Sequence, residues 1–320
     1  MHLPRKHTFF RMKKHLFFLL LALVVTASAC TQPRKVWVDA DTGNEIDDLY
    51  AIAWLLKAPS VEVVALSSAH FNNPDLLVFE KWNDYDTRDI NTLELSQQLN
   101  EQLLQVLGKT GIPAPKGADR QMGRAWGGEE PRDSEAVQML IQTALALPEG
   151  EKLDVITLGA VTNVASAIAM QPAIKQKIRV FCLGGRYYQD KKAWDKNEFN
   201  VRNDLNAFDF LLNADSLDLT IMPIEAAMPL QFDRQATFER LDDRKEVERI
   251  LQERWVKHAA NDSRRIMWDL ALAMAWARPE LTRQVTIPAP AANQADSVKA
   301  FISVDEQQME EQFWQVLQEQ

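Results

Sequence analysis

Short apolar stretches of strand length alternate along this chain with stretches whose apolar residues recur at helical spacing. Val36 to Val38 leads to a helix-periodic run from about Asp47 to Lys57, and Val61 to Ser67 reads as a second strand. Leu153 to Leu158 runs into Gly159 and a helix from about Thr162 to Met170, followed by the strand Ile178 to Leu183 and the pair Gly184-Gly185. A helix near Asp204 to Leu212, a strand at Leu217 to Met222, and a closing strand and helix at Val298 to Val304 and Glu306 to Leu317 complete the series. Such alternation is the mark of parallel strands joined by crossover helices. It predicts an α/β fold, a single doubly wound domain with a mostly parallel central sheet. Ligands of such sheets bind beyond the carboxyl ends of strands, where the acidic segment 39–48, the Leu158-Gly159 turn and the Gly184-Gly185 turn all fall. Segments 69–89 and 111–132, the second with five glycines, show neither period and are predicted to be irregular rims. The Pro-rich stretch Ile287 to Ala292 is predicted to be a loop.

The first 29 residues stand apart from that pattern. Arg5, Lys6, Arg11, Lys13 and Lys14 precede an apolar run, Leu16 to Val25, about half as long as a membrane-spanning helix. This is an export signal of lipoprotein type. Ala27-Ser28-Ala29-Cys30 resembles a bacterial lipobox, with Cys30 as the lipidated residue and the only attachment to a membrane; the same small residues also satisfy an ordinary signal-peptidase site. The expected location is the periplasm or, given Thr31 after the cysteine, the outer membrane. Removing the leader takes away five positive charges and moves the formal net charge from -9 to -14. So acidic a chain argues against a nucleic-acid polymer as partner and for a cation. Cys182 is then alone, so no disulfide framework exists, and its apolar neighbours mark it as a small core residue. Residues 30–320 are enough for one large α/β domain.

Within that domain, Val36-Trp-Val-Asp39-Ala-Asp41-Thr-Gly-Asn-Glu-Ile-Asp47-Asp48 places four aspartates, with Glu45 among them, between a strand and a helix. Carboxylates so close raise one another's pKa unless a proton, an Arg or Lys, or a hard cation is shared among them. Neither Lys nor Arg occurs between Lys35 and Lys57, which leaves a cation as the leading reading. Gly43 is expected to permit a tight turn, and Asp47 and Asp48 to sit at a helix N-terminus that favours anions. An EF-hand counted from Asp39 fails, because Gly43 and Asn44 are reversed and the twelfth residue is Tyr50. An Asp-x-Asp phosphatase is weakened by Gly43 in place of its Thr.

Asp39-x-Asp41-x-Gly43 followed by Asp47-Asp48 resembles the N-terminal signature of the inosine/uridine-preferring nucleoside hydrolases, with two more residues in the turn than Asp-x-Asp-Pro-Gly-x-Asp-Asp. Three further segments resemble that family in its order: Thr157 to Ala165, Asn197-Glu198-Phe199-Asn200, and Met267-Trp268-Asp269-Leu270-Ala271. The resemblance implies hydrolysis of the N-glycosidic bond of a small-molecule nucleoside, purine preferred. Asp41, Asp48, Asp269 and the Leu158 carbonyl would hold Ca2+, with Asp41 also the catalytic base and Asp39 supporting from behind. Asp47, Glu198 and Asn200 would bind the sugar. Trp268 stands where many relatives have a His acid, as in members that hold a purine by stacking, and Trp82 is its candidate partner. Of His70, Asn72 and Asn73, which lie where the family has a ribose-binding Asn, Asn72 stands for the group. Homo-oligomers are implied by the family alone. Ordinary structural accounts compete at several positions: Thr162, Asp204 and Asp269 as helix caps, and Trp82 as a rim aromatic. A noncatalytic calcium- and riboside-binding lipoprotein is the alternative function.

Overall fold

Crossover helices can return a chain to the same edge of a sheet only if each covers one face, and the apolar residues of this chain are distributed to do so. The computed structural model describes Met1 and residues 32–72, 87–124 and 127–319; the leader after Met1, Cys30 and Trp82 lie outside the described residues. Residues 33–320 form one compact unit. In order, its elements are β1 (Arg34–Ala40), α1 (Asp47–Lys57), β2 (Val61–Ser68), α2 (Thr92–Val106), α3 (Glu135–Leu145), β3 (Leu153–Thr157) and α4 (Thr162–Met170). They continue with β4 (Ile178–Leu183), β5 (Arg186–Tyr188), β6 (Ala193–Asp195), α5 (Phe199–Asn203), α6 (Leu205–Asn213), β7 (Asp218–Met222), α7 (Ile224–Ala227), β8 (Gln231–Asp233) and α8 (Arg234–Arg240). The last are α9 (Glu246–His258), β9 (Arg264–Ile266), α10 (Trp268–Ala277), β10 (Thr282–Pro288), β11 (Ser297–Val304) and α11 (Glu306–Gln318).

Seven strands form the central sheet in the order β10-β11-β7-β4-β3-β1-β2. All pair in parallel except β10, which runs antiparallel to β11 at the edge. Alternation within each strand feeds two cores: Val36 and Val38 pack with α1, α10 and α11 on one face, and Trp37 between them packs with α3 and α4 on the other. Cys182, in β4, is a buried free thiol in the second core. The register places Ser67, Asp39, Thr157, Cys182 and Ile221 in one row at the carboxyl ends of five adjacent strands. Among the described residues no helix is long and apolar enough to cross a membrane.

The expected strands and crossover helices are present, with two corrections. Ile287 and Pro288 are not loop but the end of β10; an edge strand is the one place in a sheet where proline is tolerated, because its missing N–H faces no partner. Helices α2, α3 and α9 were not anticipated. Two of them carry legible caps: Asn91 accepts from the Glu94 N–H at 3.1 Å and Ser134 from the Val137 N–H at 3.2 Å.

The buried Asp154 of β3 fastens the sheet to its helix layer. It accepts hydrogen bonds from Arg34 and the Trp276 indole, each at 2.9 Å, and from Arg179. Asp154→Ala would leave that indole N–H without an acceptor, while the two half-exposed arginines turn to water. A loss of about 1–3 kcal/mol in urea unfolding is expected, and an unchanged midpoint would refute the fastening role.

Candidate active site

The first turns of α1 and α10 pack side by side and point their N-termini at the carboxyl edge of the sheet. Asp47 and Asp48 open α1 and Asp269 is the second residue of α10; the residue before each helix offers no side-chain cap, and the Asp47 carboxylate accepts the Asp269 N–H at 3.1 Å, so the cluster sits on the positive ends of both helix dipoles. Asp269 is therefore not a cap, although Asp204 is one, accepting the Ala207 N–H at 2.9 Å. Thr162 is not a cap either; its hydroxyl donates to Asp204 at 2.6 Å.

Asp47, Asp48 and Asp269 each offer an oxygen within 4.8 Å of the others, and all are buried. At that spacing in an effective dielectric of about 20, two anions repel by about 3 kcal/mol, so three cannot stay ionised together without compensation. Asp41 joins them on the wall of a cavity of about 240 Å3 that Leu158, Glu198, Asn200 and Trp268 also line. One oxygen of Asp41, Asp48 and Asp269 is buried without a hydrogen-bond partner among the described residues. Burial and, after it, the charges of Asp48 and Asp47 push the Asp41 carboxyl well above the carboxylate range. Burial, then Asp47, Asp48 and Asp41, do the same to Asp269. Asp48 is pushed up to about 7, mainly by burial and Asp47, against the lowering influence of Arg254, and Asp47 by burial to about 6. Such donors, all hard oxygens with unused lone pairs, suit a divalent cation.

Other residues hold this arrangement in place. A Cβ on Gly159 would lie 2.7 Å from the Asp41 carboxyl carbon, so only glycine allows the turn after β3 to pass Asp41 so closely. Gly43, in contrast, adopts no left-handed backbone; it is needed for space, since a Cβ there would lie 2.8 Å from Leu95 of α2. Asp39, behind Asp41, accepts from Ser67 at 2.5 Å and Asn163 at 2.9 Å, and burial raises its carboxyl to about 7. Glu198 lines the cavity while its oxygens cap α5 and accept the Gly185 N–H at 3.2 Å. Asn200 donates to the Leu158 carbonyl at 2.7 Å, so a sugar-binding candidate and a metal-binding candidate touch.

Asn72 is not among the described residues lining the cavity; it donates to the Asp119 carbonyl at 2.9 Å. His70 is buried with Nε2 2.9 Å from the Thr162 hydroxyl, and burial lowers its pKa to about 4. The sequence reading missed Arg186, the single cation among the described lining residues, which is paired with Glu225 at 2.9 Å. It also missed Arg254, whose guanidinium meets the 42–45 backbone. The absence of Lys and Arg between Lys35 and Lys57 thus does not leave the cluster without a cation nearby. No local signal marks either arginine.

Because these aspartates have folded-state pKa values above their unfolded value of 3.8, their protonation favours the fold. That contribution is complete below the unfolded value and is lost as pH rises through about 6 to 7. Without metal the protein is expected to melt at lower temperature at pH 8 than at pH 5.5. Added calcium should raise the pH 8 value more, since proton and cation compete for the same oxygens. Circular-dichroism melts with chelator or calcium check this; a metal-free melting temperature that rises with pH would contradict it.

Comparison with known proteins places the chain among relatives. Residues 36–312 match the model of the family described as inosine-uridine preferring nucleoside hydrolase. The pyrimidine-specific ribonucleoside hydrolase RihB of Escherichia coli (strain SE11) is 27% identical over 185 residues, which cover 55% of each chain. The chain thus spans about half the length of the curated relatives it matches. Among solved structures, the inosine-uridine preferring nucleoside hydrolase of Bacillus anthracis superposes with a TM-score of 0.67 at 16% identity, covering 89% of this chain and 99% of that one. A purine-preferring ribonucleoside hydrolase from Gardnerella vaginalis gives 0.66 at 16% identity, covering 89% and 98%. These two likenesses concern the fold. With the family match running from the first strand into the last helix, through every carboxylate of the cavity, the chain belongs to the inosine-uridine preferring nucleoside hydrolase family.

Proposed function

We propose that this protein is a ribosylhydrolase that cleaves the N-glycosidic bond of ribonucleosides with calcium as its ion, purine nucleosides being preferred. The observation that carries the reading is the set of partnerless buried oxygens on Asp41, Asp48 and Asp269, opening on one cavity with Glu198 and Asn200. Asp41, Asp48, Asp269 and the Leu158 carbonyl would hold the ion, with Asp47 close enough to share it. When bound, calcium lowers the pKa of a water and orients it beside the sugar hydroxyls.

Asp41 takes the proton of the attacking water, a role that suits a carboxyl raised by burial and anionic neighbours. The C1'–O bond forms as the C1'–N bond breaks, and the base leaves with the bonding pair and gains a proton from solvent. The surrounding carboxylates stabilise positive charge on the ribose as that bond lengthens. Asp47, Glu198 and Asn200 orient the sugar, accepting from and donating to its hydroxyls. The half-buried Trp268 supports the purine preference, because an indole face on the cavity wall can stack on a wide base. The relatives named as pyrimidine-specific make the base the point to test.

Release of ribose from inosine is expected to fall by about 100- to 10,000-fold in Asp41→Asn, and to stop with chelator. Full activity in that variant would remove Asp41 as base. Tight inosine binding without ribose formation by the wild type would instead mark a riboside-binding protein. A higher kcat/KM for uridine than for inosine would overturn the purine preference.

We also propose that the chain is exported, with residues 1–29 as leader and Cys30 lipidated. Cells fed labelled palmitate are expected to label the wild-type protein and not Cys30→Ser; label retained in the variant would exclude that attachment site.

A further inference from the structure

The segment between β1 and α1 must bring Asp41 and the Asp47-Asp48 pair to one point, and it is two residues longer than the turn its signature resembles. Within it, a turn hydrogen bond joins the Asn44 N–H to the Asp41 carbonyl at 2.8 Å. Further hold comes from far along the chain. On one side, α2 receives the Thr42 hydroxyl on Asn100 at 2.5 Å and the Gly43 N–H on Ser96 at 3.3 Å. On the other, Arg254 of α9 donates from Nε to the Glu45 carbonyl at 2.9 Å and from Nη2 to the carbonyls of Gly43 at 2.6 Å and Thr42 at 3.4 Å. Arg265 of β9 adds a contact to the Glu45 carboxylate and pairs with Asp262 at 2.8 Å.

Arg254 is 6% exposed. Burying a charge is costly unless its donors are satisfied, and here a planar fork meets three carbonyls of one loop, a pattern an ammonium cannot reproduce. Its charge also reaches Asp48. For cation binding that charge is a disadvantage, since like charges repel more strongly in a buried site than in water. Geometry and charge therefore predict effects of opposite sign on metal affinity.

We propose that Arg254 is the positioning residue of the metal loop: by clamping the carbonyls of Thr42, Gly43 and Glu45 it holds Asp41 in register with Asp48 and Asp269 so that one ion is shared. The clamp does with a tertiary contact what a shorter turn would do through its own backbone. This inference rests on the calcium reading of the site given above.

The test is calorimetric titration of calcium into the metal-free full chain, with urea unfolding of each metal-free variant alongside. Arg254→Met is expected to weaken calcium binding by about 10- to 100-fold, the usual effect of losing a group that orients metal ligands. Arg254→Lys, which keeps the repelling charge and loses the fork, should weaken it at least as much. Arg265→Met, at the half-buried end of the same loop, should shift affinity in the same direction, and with Arg254→Lys it decides the matter if Arg254→Met does not fold. Calcium bound by Arg254→Met as tightly as by wild type, or more tightly, would overturn the proposal in favour of a charge effect or a purely structural role. Wild-type affinity in Arg254→Lys would likewise overturn it. No calcium binding by the wild type overturns the metal reading itself and the clamp's role with it. That failure is distinct from failure of the clamp alone, in which the wild type binds.

Discussion

Several aspartates buried against one another at the end of a sheet are the constraint around which this molecule is organised. Desolvation alone raises each of their pKa values, and mutual repulsion adds to it at Asp41, Asp48 and Asp269. Such a group persists only where the surrounding structure supplies positive potential or leaves oxygen lone pairs for a cation. Both occur here. Two helix N-termini converge on the cluster, and Arg254 stands behind its loop.

The sheet topology makes that convergence possible. Parallel strands all end on one edge, so loops that are far apart in sequence meet there, and a doubly wound arrangement brings helices from both faces to it. Asp39, in register with Ser67 and Thr157, shows how narrow the tolerance is. A one-residue slip in β1 would exchange the aspartates with Val38 and Ala40, placing apolar groups at the site and charges in the core. Gly159 adds a second restriction, since any side chain there would occupy the space of the Asp41 carboxyl.

Much of this was legible in the chain because the signals are local. Helices α1 and α4 and strand β4 begin and end where apolar period, acidic first turn and flanking glycines place them. The aspartates between residues 39 and 48 stood out by their spacing, whereas Glu198 and Asp269 were marked by the resemblance of their segments to the family's. Helix α2 was hidden because its buried face carries Ser96, Gln97 and Asn100, so its apolar stripe is weak. Ser96 accepts from the Gly43 N–H, Asn100 meets Thr42 and the Ser67 carbonyl, and Gln97 accepts from Ser68, so this face is turned to the loop and the strand end beside the site. Strand β10 was obscured by the proline that only its edge position allows.

The sequence by itself determined the fold class and the carboxyl edge of the sheet on which the aspartates of residues 39–48 lie, since period, caps and spacing act over a few residues. Only the tertiary structure decided that Asp47 stands with Asp48 and Asp269, that Asn200 reaches the Leu158 carbonyl, and that Arg254 holds the loop between Asp41 and Asp47. These contacts join positions from 42 to more than 200 residues apart. Their energies depend on burial and on the meeting of donor and acceptor, which no local pattern of residues encodes.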